Sequence, residues 1–332
     1  MKFAKILTLS ILAFPIVATA EEPDTSGKED SKGIFSLVVE NDKFAGSDQD
    51  YTNGVRLAWS SSEKDTPDWA NSVAHLLPIP SDANKRITLA VGQNMYTPAD
   101  TATTLPQPND HPYAGWLYGS IGVVADTGTT LDNVMLTLGV VGPMALGEEI
   151  QNGFHGLIGS EKSRGWDNQL DNEPGLILTY ERKWKEFFEL SALGMETDIM
   201  PHVGVNLGNI NTDATVGGTL RLGFDLPEDY GPPRIRPSLP GSDFFVPSED
   251  WGGYFFATVE ERAVARNIFL DGNTFSDSLS VDKKNFVGSL QLGVATTYGD
   301  TRISYSQVFM TKEYETQQQA SEFGTLTVSY RF

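Results

Sequence analysis

Two short groups of oxygen-bearing side chains and one histidine are the residues of this chain whose types and spacing suit chemistry. Glu40-Asn41-Asp42 precedes Asp50-Tyr51-Thr52-Asn53-Gly54 by a gap short enough for a hairpin. If the flanking runs pair, Asn41, Asp42 and Thr52 gather into an oxygen-rich cluster, and such ligands suit a hard cation such as calcium. Taken singly, each fragment is also ordinary turn chemistry, because Asn-Asp and Asn-Gly favour turns. Farther along, Gly147-Glu148-Glu149-Ile150-Gln151-Asn152-Gly153-Phe154-His155 sets Gln151 and His155 four residues apart. That spacing puts both on one face of a short helix, with Ile150, Phe154, Leu157 and Ile158 as its apolar face. Gly153 weakens the helix. His155 suits general-base work near neutral pH, the alternative being a structural or solvated histidine. His75, His111 and His202 have less suggestive neighbours, and His202 after Pro201 is most simply a strand residue. These loops carry no Gly-x-Ser-x-Gly elbow for acyl transfer and no phosphate-cradling Gly loop. Water activated by His155, with a metal polarising a carbonyl, needs neither.

The elements that must position these groups read as strands. Phe35, Leu37 and Val39 alternate, as do Val55, Leu57 and Trp59, and Ile87, Leu89 and Val91. Period-two alternation is the mark of a half-buried strand. Similar runs lie near 117–124, 134–141, 176–184, 188–194, 201–208, 216–224, 254–264, 286–297, 302–310 and 323–332. Some must merge, giving about twelve strands. In the last run Leu326, Val328, Tyr330 and Phe332 share one face, and Thr325, Thr327, Ser329 and Arg331 the other. A closing strand that faces lipid needs that pattern.

Residues 1–20 have basic Lys2 and Lys5, an apolar stretch and a small-residue Ala18-Thr19-Ala20 end, the pattern of a secretory signal peptide. Residues 21–332 then form one domain. No later stretch approaches the ~18 apolar residues of a membrane helix, so a membrane crossing requires a barrel. A soluble exported sandwich is the competing fold; the leader, the aromatic strand ends and the terminal Phe favour the barrel. The 332 residues include no cysteine, which excludes a disulfide scaffold or thiolate metal site. Forty-four acidic against 24 basic residues give a formal charge of −20; losing Lys2 and Lys5 leaves −22. That acidity argues against a nucleic-acid binder, which would need a basic face. The expected setting is a Gram-negative envelope.

Strand parity locates the loops. With both termini on the inner side, the connection between strands at about 34–41 and 52–60 and the 96–112 and 142–174 connections all fall on the outer face. Residues 61–85 and the Pro-rich 227–252 stretch fall inside, where the scheme is strained.

The fragments Glu40-Asn41-Asp42, Asp50-Tyr51-Thr52-Asn53-Gly54, Pro112-Tyr113-Ala114-Gly115-Trp116 and Gly139-Val140-Val141-Gly142-Pro143 resemble the lipid A 3'-O-deacylase family of outer-membrane barrels. So do Gly147-Glu148-Glu149-Ile150-Gln151-Asn152-x-x-His155 and Gly165-Trp166-Asp167-Asn168-Gln169, in the same order over about residues 35–175. The motifs Pro201-His202-Val203-Gly204 and Gly231-Pro232-Pro233-Arg234-Ile235-Arg236-Pro237 are similar too, without an assigned task. The resemblance implies an all-β, twelve-stranded transmembrane antiparallel barrel with a short helix in an outer loop. It implies calcium-dependent hydrolysis of the 3'-acyloxyacyl ester of lipid A by a His-activated water. His155 would be the base, Asp42 with Asn41 and Thr52 the metal-binding and carbonyl-orienting group, and Gln151 and Glu161 would line the site. The expected partners are lipopolysaccharide and outer-membrane lipids, not nucleic acid, and the expected state is a monomeric, multi-pass protein of the outer membrane. The alternatives are a phospholipase-like esterase or a porin or structural barrel without catalysis.

Overall fold

In this computed structural model the described residues are 30–42, 50–74, 83–185, 188–192, 195–235 and 242–332. The leader expected over residues 1–20 lies outside them. Among the described residues no helix is long and apolar enough to cross a membrane.

Thirteen strand segments follow in order: β1 Ile34–Asn41, β2 Asp50–Ser60, β3 Asn84–Thr97, β4 Ala114–Asp126, β5 Thr130–Val141, β6 Glu173–Trp184, β7 Phe188–Ala192, β8 Met195–Gly208, β9 Asn211–Phe224, β10 Trp251–Asn267, β11 Phe286–Tyr298, β12 Thr301–Met310 and β13 Glu322–Arg331. Each pairs antiparallel with its neighbours, and β1 pairs with both β2 and β13. β6 pairs with β8 from Ile177↔Gly208 to Lys183↔His202, and β7 with β8 from Phe188↔Ile199 onward. β6 and β7 are therefore one strand interrupted by an irregularity, and the ring closes as a twelve-stranded barrel. The expected merging of runs occurs here, where β6 and β7 share one stave.

The sequence pattern explains why the chain folds this way. On β13 Thr325, Thr327, Ser329 and Arg331 are buried, while Val328, Tyr330 and Phe332 are exposed. Leu37, Leu57, Val91, Leu138 and Val259 likewise point outward. Apolar outside and polar inside is the alternation of a lipid-facing barrel. A closed ring leaves no unpaired strand edge, which a bilayer core would punish by several kcal/mol per group.

The lumen is packed in layers. At the end holding the termini, Ile34, Val124, Leu131, Met200, Tyr230, Phe244 and Phe245 form one apolar cluster. At the opposite end Tyr51, Tyr96, Trp116, Ile177, Ile210 and Phe269 belong to a second. Charged side chains are packed into the lumen as well: Arg221 pairs with Asp198 and Asp229, Arg302 with Asp229, and Arg56 with Asp243. His202 on β8 faces Glu260 at 3.2 Å, so it is a lumenal strand residue as its sequence context suggested.

The parity scheme holds. β1 and β2, β3 and β4, and β5 and β6 are joined at the end away from the termini. Residues 61–83 and 225–250 join strands at the other end. The first carries the short helix α1 (Asp68–Ala74); His75 lies outside the described residues. The second does not hang free: Asp229, Tyr230, Phe244 and Phe245 are buried within the barrel.

Candidate active site at the outer rim

The first element of the site is the top of the β1–β2 pair. Asn41 sits opposite Asn53 across the two strands. The Asn41 side-chain amide donates to the Thr52 carbonyl at 3.1 Å, and the Asn53 amide donates to the Glu40 carbonyl at 3.0 Å. Against β3 the register slips, since Tyr51 faces Tyr96 and Asn53 faces Met95. Thr52 is the extra residue of that bulge, and bulges re-aim side chains beside functional sites. Its hydroxyl is buried and lies 2.7 Å from that of Thr97. Asp42 is fully buried. The strand pairing sets Asn41 beside Thr52, and Asp42 comes directly after Asn41.

The second element is helix α2 (Gly147–Ile158), in the loop between β5 and β6. Gly142, at φ +96, has the conformation that β-carbons disfavour, and a Cβ there would lie 2.6 Å from the Asp171 carbonyl. Gly147 lets the helix start settle on the Trp166 ring, where a Cβ would come within 2.6 Å. Glu148 and Glu149 in the first turn complement the helix dipole. Gln151 and His155 are 3% and 4% exposed, whereas Ile150, Phe154 and Leu157 are 46%, 50% and 83% exposed. The helix is amphipathic as expected, but its apolar face points outward and its polar pair points in. In water that arrangement would be unfavourable. Beside acyl chains at the bilayer boundary it is the favourable one.

The inward pair is held from several sides. Gln151 Oε1 accepts the Trp166 indole N–H at 2.8 Å. Gln151 Nε2 is buried with no hydrogen-bond partner among the described residues. His155 Nδ1 lies 2.7 Å from the carbonyl oxygen of Glu161. A carbonyl only accepts, so Nδ1 carries the hydrogen and Nε2 is the proton-accepting nitrogen of the neutral ring. Asn152 clamps the returning chain with both ends of its amide, to the Ser163 N–H at 2.9 Å and to its carbonyl at 3.1 Å. Ser163 Oγ, like Gln151 Nε2, is buried without such a partner. The Glu161 side chain, expected to line the site, is exposed; its main-chain carbonyl is what touches the histidine.

The two elements are joined through the barrel wall. Met95, opposite Asn53 on β3, packs with Tyr113 and Trp166 in one buried cluster. Trp166 and Tyr113 rings are 5.0 Å apart. The Arg164 N–H donates to the Thr101 carbonyl at 2.9 Å, which ties the helix loop to the loop between β3 and β4. In that loop His111 stacks on Tyr96 with ring centroids 5.3 Å apart, a packing role. Sequence reasoning gave no role to Thr97, Met95, Tyr113, Asn152 or Trp166. Tyr113 and Trp166 stand inside the quoted motifs, but nothing in a motif says which residue props which.

A calcium ion is implied by the family resemblance, and the donors present fit one. Asp42 carboxylate, Asn41 amide oxygen and Thr52 hydroxyl are all oxygen ligands, which suit a hard cation and not a thiolate-seeking metal. Among the described residues no group of three His, Cys, Asp or Glu side chains could hold a metal ion. One carboxylate with neutral oxygens corresponds to a weak site completed by water or substrate.

The family described as "Outer membrane protein LpxR" matches residues 6–332 of the chain. Among solved structures, LpxR from Salmonella typhimurium shares 22% identity, with 90% of this chain and 100% of that chain covered and a TM-score of 0.71. The β domain of the Bordetella autotransporter BrkA follows at 10% identity, covering 91% of this chain and 99% of its own, with a TM-score of 0.41. No curated protein matches.

Proposed function

This chain belongs to the LpxR family of outer membrane proteins, and from that premise we propose that it is a calcium-dependent ester hydrolase. Its substrate in this proposal is lipid A of the outer leaflet, from which it removes the 3'-acyloxyacyl group. The chain is a multi-pass barrel of a Gram-negative outer membrane. The observation that carries the catalytic proposal is His155, held by its Nδ1 hydrogen on the Glu161 carbonyl, on the inward face of a helix whose apolar side points out.

The chemistry follows from that orientation. His155 Nε2 takes a proton from water, and the oxygen so activated attacks the ester carbonyl carbon. The carbon–oxygen bond to the sugar breaks, and the proton held on Nε2 passes to the departing sugar oxygen. Gln151, fixed by Trp166, lies one turn before His155 on the same buried face of α2. Asp42, Asn41 and Thr52 would hold the calcium ion, which when bound supplies positive charge for the developing oxyanion. The exposed Ile150, Phe154 and Leu157 face fits the acyl region of the bilayer, where the ester lies. The proposed partners are lipopolysaccharide and surrounding lipids, and the proposed state is a monomer.

The test is the lipid A mass spectrum of a host with fully acylated lipid A. Expression of the wild type with calcium should remove the 3' acyloxyacyl mass, and His155→Ala should leave it. An unchanged spectrum with inserted wild type would rule this substrate out. Release of fatty acid from phospholipid instead would favour a phospholipase-like esterase.

A further inference from the structure

The Gly231-Pro232-Pro233-Arg234-Ile235 motif has no part in the hydrolysis just described, yet it lies against the strand that carries Asn41 and Asp42. Residues 225–235 and 242–250 enter the barrel from the end holding the termini as the two arms of a hairpin, with Glu228 and Val246 exchanging backbone hydrogen bonds of 2.8 and 3.0 Å. Its contacts climb the lumen. The Asp243 carbonyl accepts from the Ser36 hydroxyl at 3.4 Å, and its carboxylate takes both Arg56 nitrogens at 2.7 Å. Higher up, the Pro233 carbonyl accepts from the Thr327 hydroxyl at 3.3 Å, and Thr327 is level with Val38 of β1. Highest of these, the Ile235 N–H donates to Glu40 Oε1 at 3.1 Å, one residue below Asn41. The same Glu40 oxygen accepts from the Thr325 hydroxyl at 3.1 Å. Arg234 lies 3.9 Å from Glu40 and 3.8 Å from Glu260. Ile235 also presses on Gly54, where a Cβ would lie 2.9 Å from its Cδ1.

We propose that this hairpin is an internal strut, and that Glu40 and Ile235 are positioning residues that fix the top of the β1–β2 pair on which Asn41, Asp42 and Thr52 stand. Rigid strands end where the site begins, so the site residues need support from beneath. The strut supplies it: Ile235 holds β1 through Glu40 and crowds β2 at Gly54. Its own base is anchored by Asp229, buried between Arg221 and Arg302. A displacement of about 1 Å at a reacting group costs up to 100-fold in rate, so a loosened strut reaches catalysis without touching substrate.

The strut rests on the hydrolase proposal only for its consequence in rate; its positioning role is testable alone. The chain has no cysteine, so Asp50→Cys at the start of β2 accepts a single nitroxide label. Its spectrum is read in wild type, Glu40→Ala, Ile235→Ala and Glu40→Gln backgrounds, each shown to be an inserted, heat-modifiable barrel. Label mobility should rise in both alanine variants and return to the wild-type level in Glu40→Gln, whose amide oxygen still accepts from Ile235 and Thr325. An unchanged spectrum in both alanine variants overturns the strut, whatever the activity does. On lipid A, kcat should fall roughly tenfold or more in the alanine variants with KM within about twofold, and Glu40→Gln should recover. If the wild type itself is inactive on lipid A, the substrate proposal fails while the label still decides the strut. If Ile235→Ala does not insert, the contrast between Glu40→Ala and Glu40→Gln decides it.

Discussion

His155 Nδ1 lies 2.7 Å from the main-chain carbonyl of Glu161, so the ring is oriented by backbone. That contact leaves Nε2 as the nitrogen that takes a proton. Replacing His155 with Ala should therefore lower the hydrolysis rate by roughly 10²–10⁴-fold, the range a positioned general base supplies. Barrel insertion should be unaffected, because removing one rim side chain leaves every strand pair in place. Fatty-acid release by mass spectrometry measures the first, and heat-modifiable migration the second. Partial recovery with added imidazole is expected.

Trp166 tests whether Gln151 must be held. The indole N–H donates to Gln151 Oε1 at 2.8 Å, while the ring packs on Tyr113. Trp166→Phe keeps most of the ring contact and removes the donor. The expected stability loss is about 1–3 kcal/mol, because the Gln151 oxygen is left buried and unsatisfied. The rate should fall further than stability alone explains, since Gln151 can then rotate. Denaturant unfolding of the purified barrel and the rate in the same preparation separate the two effects. Equal activity in Trp166→Phe and wild type would show that Gln151 orientation does not matter.

Much of this was legible in the residues. Period two marked nearly every strand, because the outward face of a barrel must be apolar at each alternate position, as Val328, Tyr330 and Phe332 show. Parity then put Asn41, Thr52 and His155 at one end without any coordinates. What the alternation could not give was the break between Trp184 and Phe188, where two runs share one stave. Nor could it give the Thr52 bulge, since a one-residue slip appears only in the pairing with Met95 and Tyr96. The Pro-rich 227–252 stretch reads from sequence as an inner connection that strains the parity scheme. Its lumenal position depends on Asp229 meeting Arg221 and Arg302 from distant strands, which no local pattern announces. The α2 helix was found from its spacing, but its apolar side faces out, because lipid is the solvent there.

Acid should open the seam at the end holding the termini. Asp30, ahead of β1, is held by Arg86 at 2.6 Å and Arg331 at 2.9 Å. Burial alone would raise its carboxyl, but the Arg331 and Arg86 charges outweigh that and hold it below the ordinary value of 3.8. With a lowered folded value, the stabilising contribution is complete above the unfolded value and disappears as pH falls toward the folded one. Neighbouring Glu63 is shifted up, chiefly by burial, so its contribution fades as pH rises and cannot explain a loss in acid. Wild type should lose thermal stability as pH drops below about 4. Asp30→Asn should start lower at neutral pH and lose less on acidification. Thermal unfolding of both proteins across that pH range measures the difference; parallel curves would remove Asp30 from the account.

The packed lumen makes a prediction about conductance that separates a catalytic barrel from a porin. Asp229 is fully buried between Arg221 and Arg302, and Asp243 is held by two bonds from Arg56. A lumenal cavity of about 40 Å³ beside Arg56, Tyr118 and Arg234 has room for a few waters. A porin of this kind would need a continuous aqueous path. Wild type should therefore give no steady open-channel current in planar bilayers. Asp229→Ala leaves two buried guanidinium groups without that carboxylate, and breaking such a buried arrangement costs about 3–5 kcal/mol. The hairpin should then leave the lumen part of the time, and intermittent openings should appear. Steady current through the wild type would instead mean that the hairpin does not stay inside the barrel, and the porin alternative would regain its standing.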